Sequence, residues 1–473
     1  MTINDRPTGL TRRGAMAGAL GTAALAATVP GLAQARGGKP NILYIMADDM
    51  GFADLSCYGR REYETPVLDG LASQGMRFTH AYANSAVCTA SRVALITGRY
   101  QYRLPIGLQE PLGQQDVGLP PEVPTIASLL RAQGYATSLV GKWHMGSLPK
   151  YDPLKSGYDE FWGLRGGGVD YYTHGFNGKL DLWDAATKVE DAGYLTDLLA
   201  DRAILTIDRR KRDGKPFFIS LHFTAPHWPW EGPDEEGRAE SARIAKSPTP
   251  AAYLHYDGGN MQAYANMVRS LDANIGRVLT RLAQLGLEKD TVVVFTSDNG
   301  GERFSDTWPF TGKKTELLEG GLRIPTIVRW PGLTRLKTIS DVPIMTMDWL
   351  PTFLAAAGGT PDPRFPSDGF DIRPALAGHT LPERTLYWRF KSHDQKAVRR
   401  GHMKYLSIAG NEFLFDIDAD PLERANLKDR QPALFTELKA AFEAWNNGML
   451  NDPNAPSYGF KGKELADHFG SDS

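Results

Sequence analysis

The sequence predicts an α/β protein: a mostly parallel sheet flanked by helices, followed by a small antiparallel sheet with one helix. Three observations carry that reading. Short apolar runs recur at 41–47, 136–140, 216–223, 291–297 and 325–330, as expected of parallel strands buried on both faces. Helical patterns at 65–74, 123–133, 196–212 and 261–285 lie between them. After about Pro382 the texture changes to short strands at 385–391, 396–398, 403–407 and 412–415, joined by turns, and then one amphipathic helix at 432–448.

Taken in order, the first strand is apolar after Asn41 and runs straight into Asp48-Asp49. Helix 65–74 follows. Helix 123–133 feeds strand 136–140, which leads into Gly141-Lys142-Trp143-His144. Helix 196–212 feeds strand 216–223, which leads into Ala225-Pro226-His227. The longest helix, 261–285, carries Met267, Leu271, Ile275, Val278, Leu279 and Leu282 close to a 3.6-residue period. It feeds strand 291–297, which ends at Asp298-Asn299-Gly300-Gly301. The run 325–330 reads as a further parallel strand. These elements predict one large domain over 36–381 and a small α+β domain over 382–473, with 449–473 as a tail.

The first 35 residues read as a targeting segment. Thr11-Arg12-Arg13 precedes an Ala-rich apolar run over 15–29, and Ala33-Gln34-Ala35 offers a small-residue cleavage site. Paired arginines before a weakly apolar run look like a twin-arginine signal, with an ordinary secretory signal as the alternative. Cleavage would remove three Arg and one Asp and take the formal charge from −2 to −4. The expected location is periplasmic or secreted, with the twin-arginine export machinery as a partner and no membrane association after cleavage.

The whole chain is 42% hydrophobic and 23% charged, which suits a large core. The near-neutral balance gives no basic face for nucleic acid. Cys57 and Cys88 are the two cysteines of the chain, so an exported protein of this size would rest on its core rather than on a disulfide framework. A Cys57–Cys88 disulfide is the bland alternative.

In open α/β sheets ligands bind outside the carboxyl ends of the strands. Four strand ends here carry polar residues and would converge if the strands are neighbours. Asp48, Asp49, Asp298 and Asn299 offer only oxygen, a hard donor set that suits Ca2+ or, less well, Mg2+. Carboxylates gathered without a cation would repel one another. Alone, each pair reads equally as a turn or helix cap. Lys142 is a compact charge suited to a tetrahedral anion, and His144 would share its side if the backbone stays extended. Flanking prolines would help aim His227. Gly166–Gly168 through His174, and Trp228-Pro229-Trp230-Glu231, are expected to border the pocket.

Cys88 opens the run Cys88-Thr89-Ala90-Ser91-Arg92, followed by Thr97-Gly98-Arg99. The segment reads as a helix start, whose free N–H groups and dipole favour an anion. Arg92 lies one turn on. Further along, Lys314 stands five residues before Glu319-Gly320-Gly321, with Arg323 and Pro325 after it; Lys313 is the runner-up. Together these motifs resemble the type I sulfatases over nearly the whole chain, 41–445, and arylsulfatase-like members in particular. Ala90 stands where many members have proline, which leaves open which maturation enzyme acts.

That resemblance implies an alkaline-phosphatase-like core with a smaller C-terminal domain. It implies that Cys88 is oxidised to formylglycine by a maturation enzyme and that calcium is held by Asp48, Asp49, Asp298, Asn299 and the modified Cys88. By family analogy a hydroxyl of the hydrated aldehyde attacks the sulfur of an aryl or carbohydrate sulfate ester, with Asp298 accepting the proton. Lys142, Lys314 and Arg92 neutralise charge, Arg92 also holding the hydrate. Lys142, His227 and Lys314 would bind substrate. His227 would protonate the leaving alcohol, and His144 would take the proton that expels sulfate. The rival readings are a phosphonate monoester or phosphodiester hydrolase with the same modified cysteine, and a binding protein on a dead scaffold.

Overall fold

The computed structural model describes residues 38–110, 112, 116–255 and 258–457. The targeting segment expected over 1–35 lies outside the described residues. Ten strands form one sheet in the order Thr338–Ser340, Met76–Phe78, Thr326–Arg329, Thr291–Ser297, Asn41–Ala47, Phe217–His222, Ala136–Gly141, Glu160–Gly163, Trp183–Asp184 and Thr187–Lys188. The five from Thr291–Ser297 to Glu160–Gly163 run parallel.

Successive side chains of a strand point to opposite faces. Leu43, Ile45 and Ala47 therefore join one core, with Ala200, Leu271 and Ile275 from helices Leu195–Asp213 and Met261–Gln284. Ile42, Tyr44 and Met46 join the other, with Ile126 and Leu130 of helix Ile126–Ala132 and Trp349 and Phe353 of helix Trp349–Ala356. Burial on both faces explains why the runs are apolar without alternation.

One strand departs from the expectation. Thr326–Arg329 is antiparallel to Thr291–Ser297, not parallel. A parallel return would have to carry the chain back across the sheet, usually through a helix. The connection 298–325 holds only the four-residue helix Glu319–Leu322 and re-enters the sheet at the end it left, pairing Thr296 with Thr326.

The C-terminal strands Thr385–Phe390, Gln395–Arg400, Met403–Ile408 and Asn411–Asp416 form the expected antiparallel sheet. Leu386, Trp388, Phe390, Ala397 and Leu406 pack against Tyr82, Val87, Ala90 and Tyr100, so this sheet leans directly on the Cys88 segment. Val398, Tyr405 and Leu414 on its other face cover Leu438 and Phe442 of helix Pro432–Asn446. No helix among the described residues is long and apolar enough to cross a membrane.

Candidate active site

The four polar strand ends belong to four adjacent strands, Thr291–Ser297, Asn41–Ala47, Phe217–His222 and Ala136–Gly141. Asp48 follows the second of these, and Asp49 turns the chain at φ 61°, a region Asp enters more readily than most residues. The Asp49 N–H donates to Asp298 Oδ1 at 3.2 Å, which ties two strand ends together.

Cys88 is the first residue of helix Cys88–Thr97, after an N-cap with no side-chain bond. Its Sγ lies 4.0 Å from Asp49 Oδ1, and burial pushes its thiol well up. A buried thiol held protonated is a poor nucleophile. Cys57 and Cys88 are both free, so no disulfide joins them.

Two lysines reach the same place. Lys142 Nζ donates to Asp48 Oδ2 at 2.5 Å, and Lys314 Nζ donates to Asp49 Oδ2 at 2.6 Å. Lys313 is only half-buried, so Lys314 is the lysine that enters the site. Arg92 donates from Nε and Nη2 to Asp298 Oδ2 at 3.1 and 2.8 Å, and from Nη1 to the Lys142 carbonyl at 3.2 Å. Here Arg92 grips the carboxylate cluster rather than facing outward.

His227 Nε2 lies 3.5 Å from Asp49 Oδ2, and its Nδ1 is 2.8 Å from the Trp228 carbonyl, which assigns the proton to Nδ1 in the neutral ring. Burial, then Lys314 and Lys142, hold His227 well below its ordinary pKa. His144 sits apart. Gly141 and His144 both take left-handed φ, 112° and 56°, so the spacing from Lys142 is not plainly extended. His144 Nε2 is 3.4 Å from the Leu112 carbonyl, and burial with Lys142 and Arg92 keeps the ring neutral. The Gly-rich strap closes over both rings: a Cβ on Gly167 would come within 2.7 Å of His144 Cε1, and one on Gly168 within 2.9 Å of His227 Cε1.

The donor set fits a hard cation. Asp48, Asp49, Cys88 and His227 offer ligand atoms within 4.8 Å of one another. Asp298 stands beside this group, bound to Arg92. Burial and Asp298 raise Asp48 well above a normal carboxyl, and Asp298 is held low by Arg92 and Lys142 against the opposite push of burial. Asp48 Oδ1 and Asn299 Oδ1 are buried and accept no hydrogen bond, although the Asn299 amide donates to Asp49 Oδ1 at 2.8 Å. Unsatisfied buried oxygens beside crowded carboxylates are what a divalent ion relieves.

Three buried residues escaped the sequence reading. His222 backs Arg92 and Lys142, with Nδ1 3.1 Å from the Lys142 carbonyl, and burial presses its pKa down to about 3. Its polarity inside an apolar strand was the available signal. Glu302 is raised to about 7 by burial, offset in part by Lys314; it follows the Asp298–Gly301 turn closely enough to have been suspected. Gln395, far along the chain, had no local signal.

Residues 40–359 match the family model described as Sulfatase. The chain belongs to the sulfatase family. It is 32% identical to human (Homo sapiens) arylsulfatase A over 456 residues, covering 88% of this chain and 84% of that protein. It is 30% identical to N-acetylgalactosamine-6-sulfatase of Canis lupus familiaris over 390 residues, covering 77% and 71%. The crystal structure of Ps i-CgsB in complex with k-i-k-neocarrahexaose superposes with a TM-score of 0.77 at 29% identity, covering 86% of this chain and 93% of that one. This sulfatase is accordingly a sulfuric ester hydrolase with the alkaline-phosphatase-like core expected of it.

Proposed function

We propose that this sulfatase cleaves aryl or carbohydrate sulfate esters with a nucleophile made from Cys88, at a site that also takes calcium. The observation that carries the reading is the position of Cys88: buried at a helix start, against Asp49, among side chains that also include Lys142 and Lys314. As a thiol it is held protonated there, whereas oxidation to formylglycine would supply a hydrated aldehyde, whose hydroxyl is a competent nucleophile toward sulfur. Calcium, held by Asp48, Asp49, Asp298, Asn299 and residue 88, would supply Lewis acidity.

The protein's own groups do the rest. Lys142 and Lys314 bind the sulfate oxygens and offset charge that grows on them. Arg92 holds Asp298 ionised and in place, ready to accept a proton. His227 is neutral without substrate, and an anionic sulfate ester beside it would oppose Lys314 and Lys142 and favour the imidazolium that protonates the leaving oxygen. His144, neutral and with Nδ1 unpartnered, is the base that completes the cycle. Gly167, Gly168 and Trp228 line the approach, and the paired arginines at Arg12-Arg13 support export to the periplasm or beyond.

The test is the mass of the peptide containing Cys88, from protein made in its native host, together with a panel of sulfate, phosphonate and phosphodiester substrates. One oxygen in place of sulfur and two hydrogens, with preference for sulfate, is the expected result. An unmodified cysteine in active protein would overturn the mechanism.

A further inference from the structure

The lysine loop is held from outside the large sheet. Thr315, directly after Lys314, is a β-branched residue at φ 73°, a conformation such residues adopt only when their surroundings impose it. Its N–H donates to the Ala86 carbonyl at 2.9 Å, two residues before Cys88. Its carbonyl accepts from Gln395 Nε2 at 2.8 Å, and Gln395 Oε1 accepts from the Leu317 N–H at 2.8 Å. One side-chain amide therefore grips the backbone on both sides of Glu316, the second residue after Lys314. Gln395 is 2% exposed and begins the second strand of the C-terminal sheet.

We propose that Gln395 is a positioning residue: its amide fixes the Thr315–Leu317 backbone so that the Lys314 ammonium is aimed at the ester bound beside residue 88. The C-terminal sheet thereby supplies part of the active-site geometry without touching substrate. This inference rests on the reading of Lys314 as a sulfate-binding group. A displacement of about 1 Å in such a group costs up to about a hundred-fold in rate.

A double-mutant cycle tests it. kcat and KM for para-nitrophenyl sulfate are measured on full-length enzyme of verified Cys88 modification, for wild type, Gln395→Ala, Lys314→Ala and the pair. We expect Gln395→Ala to lower kcat/KM by about ten- to a hundred-fold, and to lower it no further when Lys314 is already alanine. Gln395→Glu, which still accepts from Leu317 N–H but opposes the Thr315 carbonyl with a carboxylate oxygen, should behave likewise, and it serves if the alanine variant does not fold. Equal losses in both backgrounds, or no loss in folded Gln395 variants, would overturn the positioning role alone. A Lys314→Ala enzyme as active as wild type would overturn the site assignment beneath it.

Discussion

At the scale of single residues, burial decides which groups are charged. The site keeps Asp298 and Lys314 ionised because each has an opposite charge in reach, while His144 and His227 lie neutral beside cations. The same logic acts away from the site at Glu110. This carboxyl accepts from the Lys391 N–H at 2.8 Å and from Ser457 Oγ at 3.1 Å, yet burial pushes it from 4.5 up to about 7. Its folded pKa lies above the unfolded one, so the native state binds the extra proton between these values. Stability contributed by Glu110 is complete below about pH 4.5 and is lost as pH rises toward 7. The span corresponds to about 3 kcal/mol at most. Glu110→Gln, which cannot titrate, should flatten that part of the curve in urea melts at pH 5 and pH 8. An unchanged difference between the two pH values would show that Glu110 does not titrate in this range.

At the scale of elements, the buried parallel strands were legible because their apolar runs end abruptly in polar residues. The direction of Thr326–Arg329 was not, since an apolar run carries no sign of which end of the sheet the chain re-enters. The two- and three-residue edge strands, such as Met76–Phe78 and Thr187–Lys188, are too short to leave a pattern. The joint between the two sheets was also hidden. Lys404 Nζ is 2.9 Å from both Glu319 Oε1 and Glu423 Oε1, all buried, and the Glu319 N–H donates to Glu423 Oε2 at 2.7 Å. Glu319 stands 85 positions from Lys404 and 104 from Glu423, and no local motif announces the knot. Lys404→Met would leave two carboxylates in the core with one cation fewer, a change worth about 3–5 kcal/mol. Chemical denaturation should read that loss, with Lys404→Arg closer to wild type. A methionine variant of full stability would mean the knot is neutral overall.

At the scale of the molecule, four adjacent strand ends deliver Asp298, Asp48, His227 and Lys142 to one crevice, and two excursions bring Cys88 and Lys314 to it. Asp298, Asp48, His227 and Lys142 were legible because each follows a strand end, Cys88 because it opens a helix, and Lys314 through its spacing before Glu319-Gly320-Gly321 in the family resemblance. His222 and Glu302 left weaker signals, a polar residue inside an apolar strand and a carboxyl just past a turn, and Gln395 left none, because its partners lie 80 and 78 positions away in the chain. A cation would be the common partner of these separate segments, so its binding should stabilise the whole fold, not only the reaction. A ligand at a hundred times its dissociation constant adds about 2.7 kcal/mol to a native state that alone binds it. The melting temperature of chelator-treated protein should therefore rise with added calcium and rise less with magnesium, which fits flexible oxygen sets poorly. Asn299→Ala removes one buried oxygen together with the amide's bonds to Asp49 Oδ1 and the Gly300 carbonyl, so it should lower the chelated protein's own melting point and also shrink the rise that calcium adds. A chelated enzyme that melts with the calcium-treated one and retains its activity would remove the metal from this site. A calcium response unchanged in Asn299→Ala would remove only Asn299 from the ligand set.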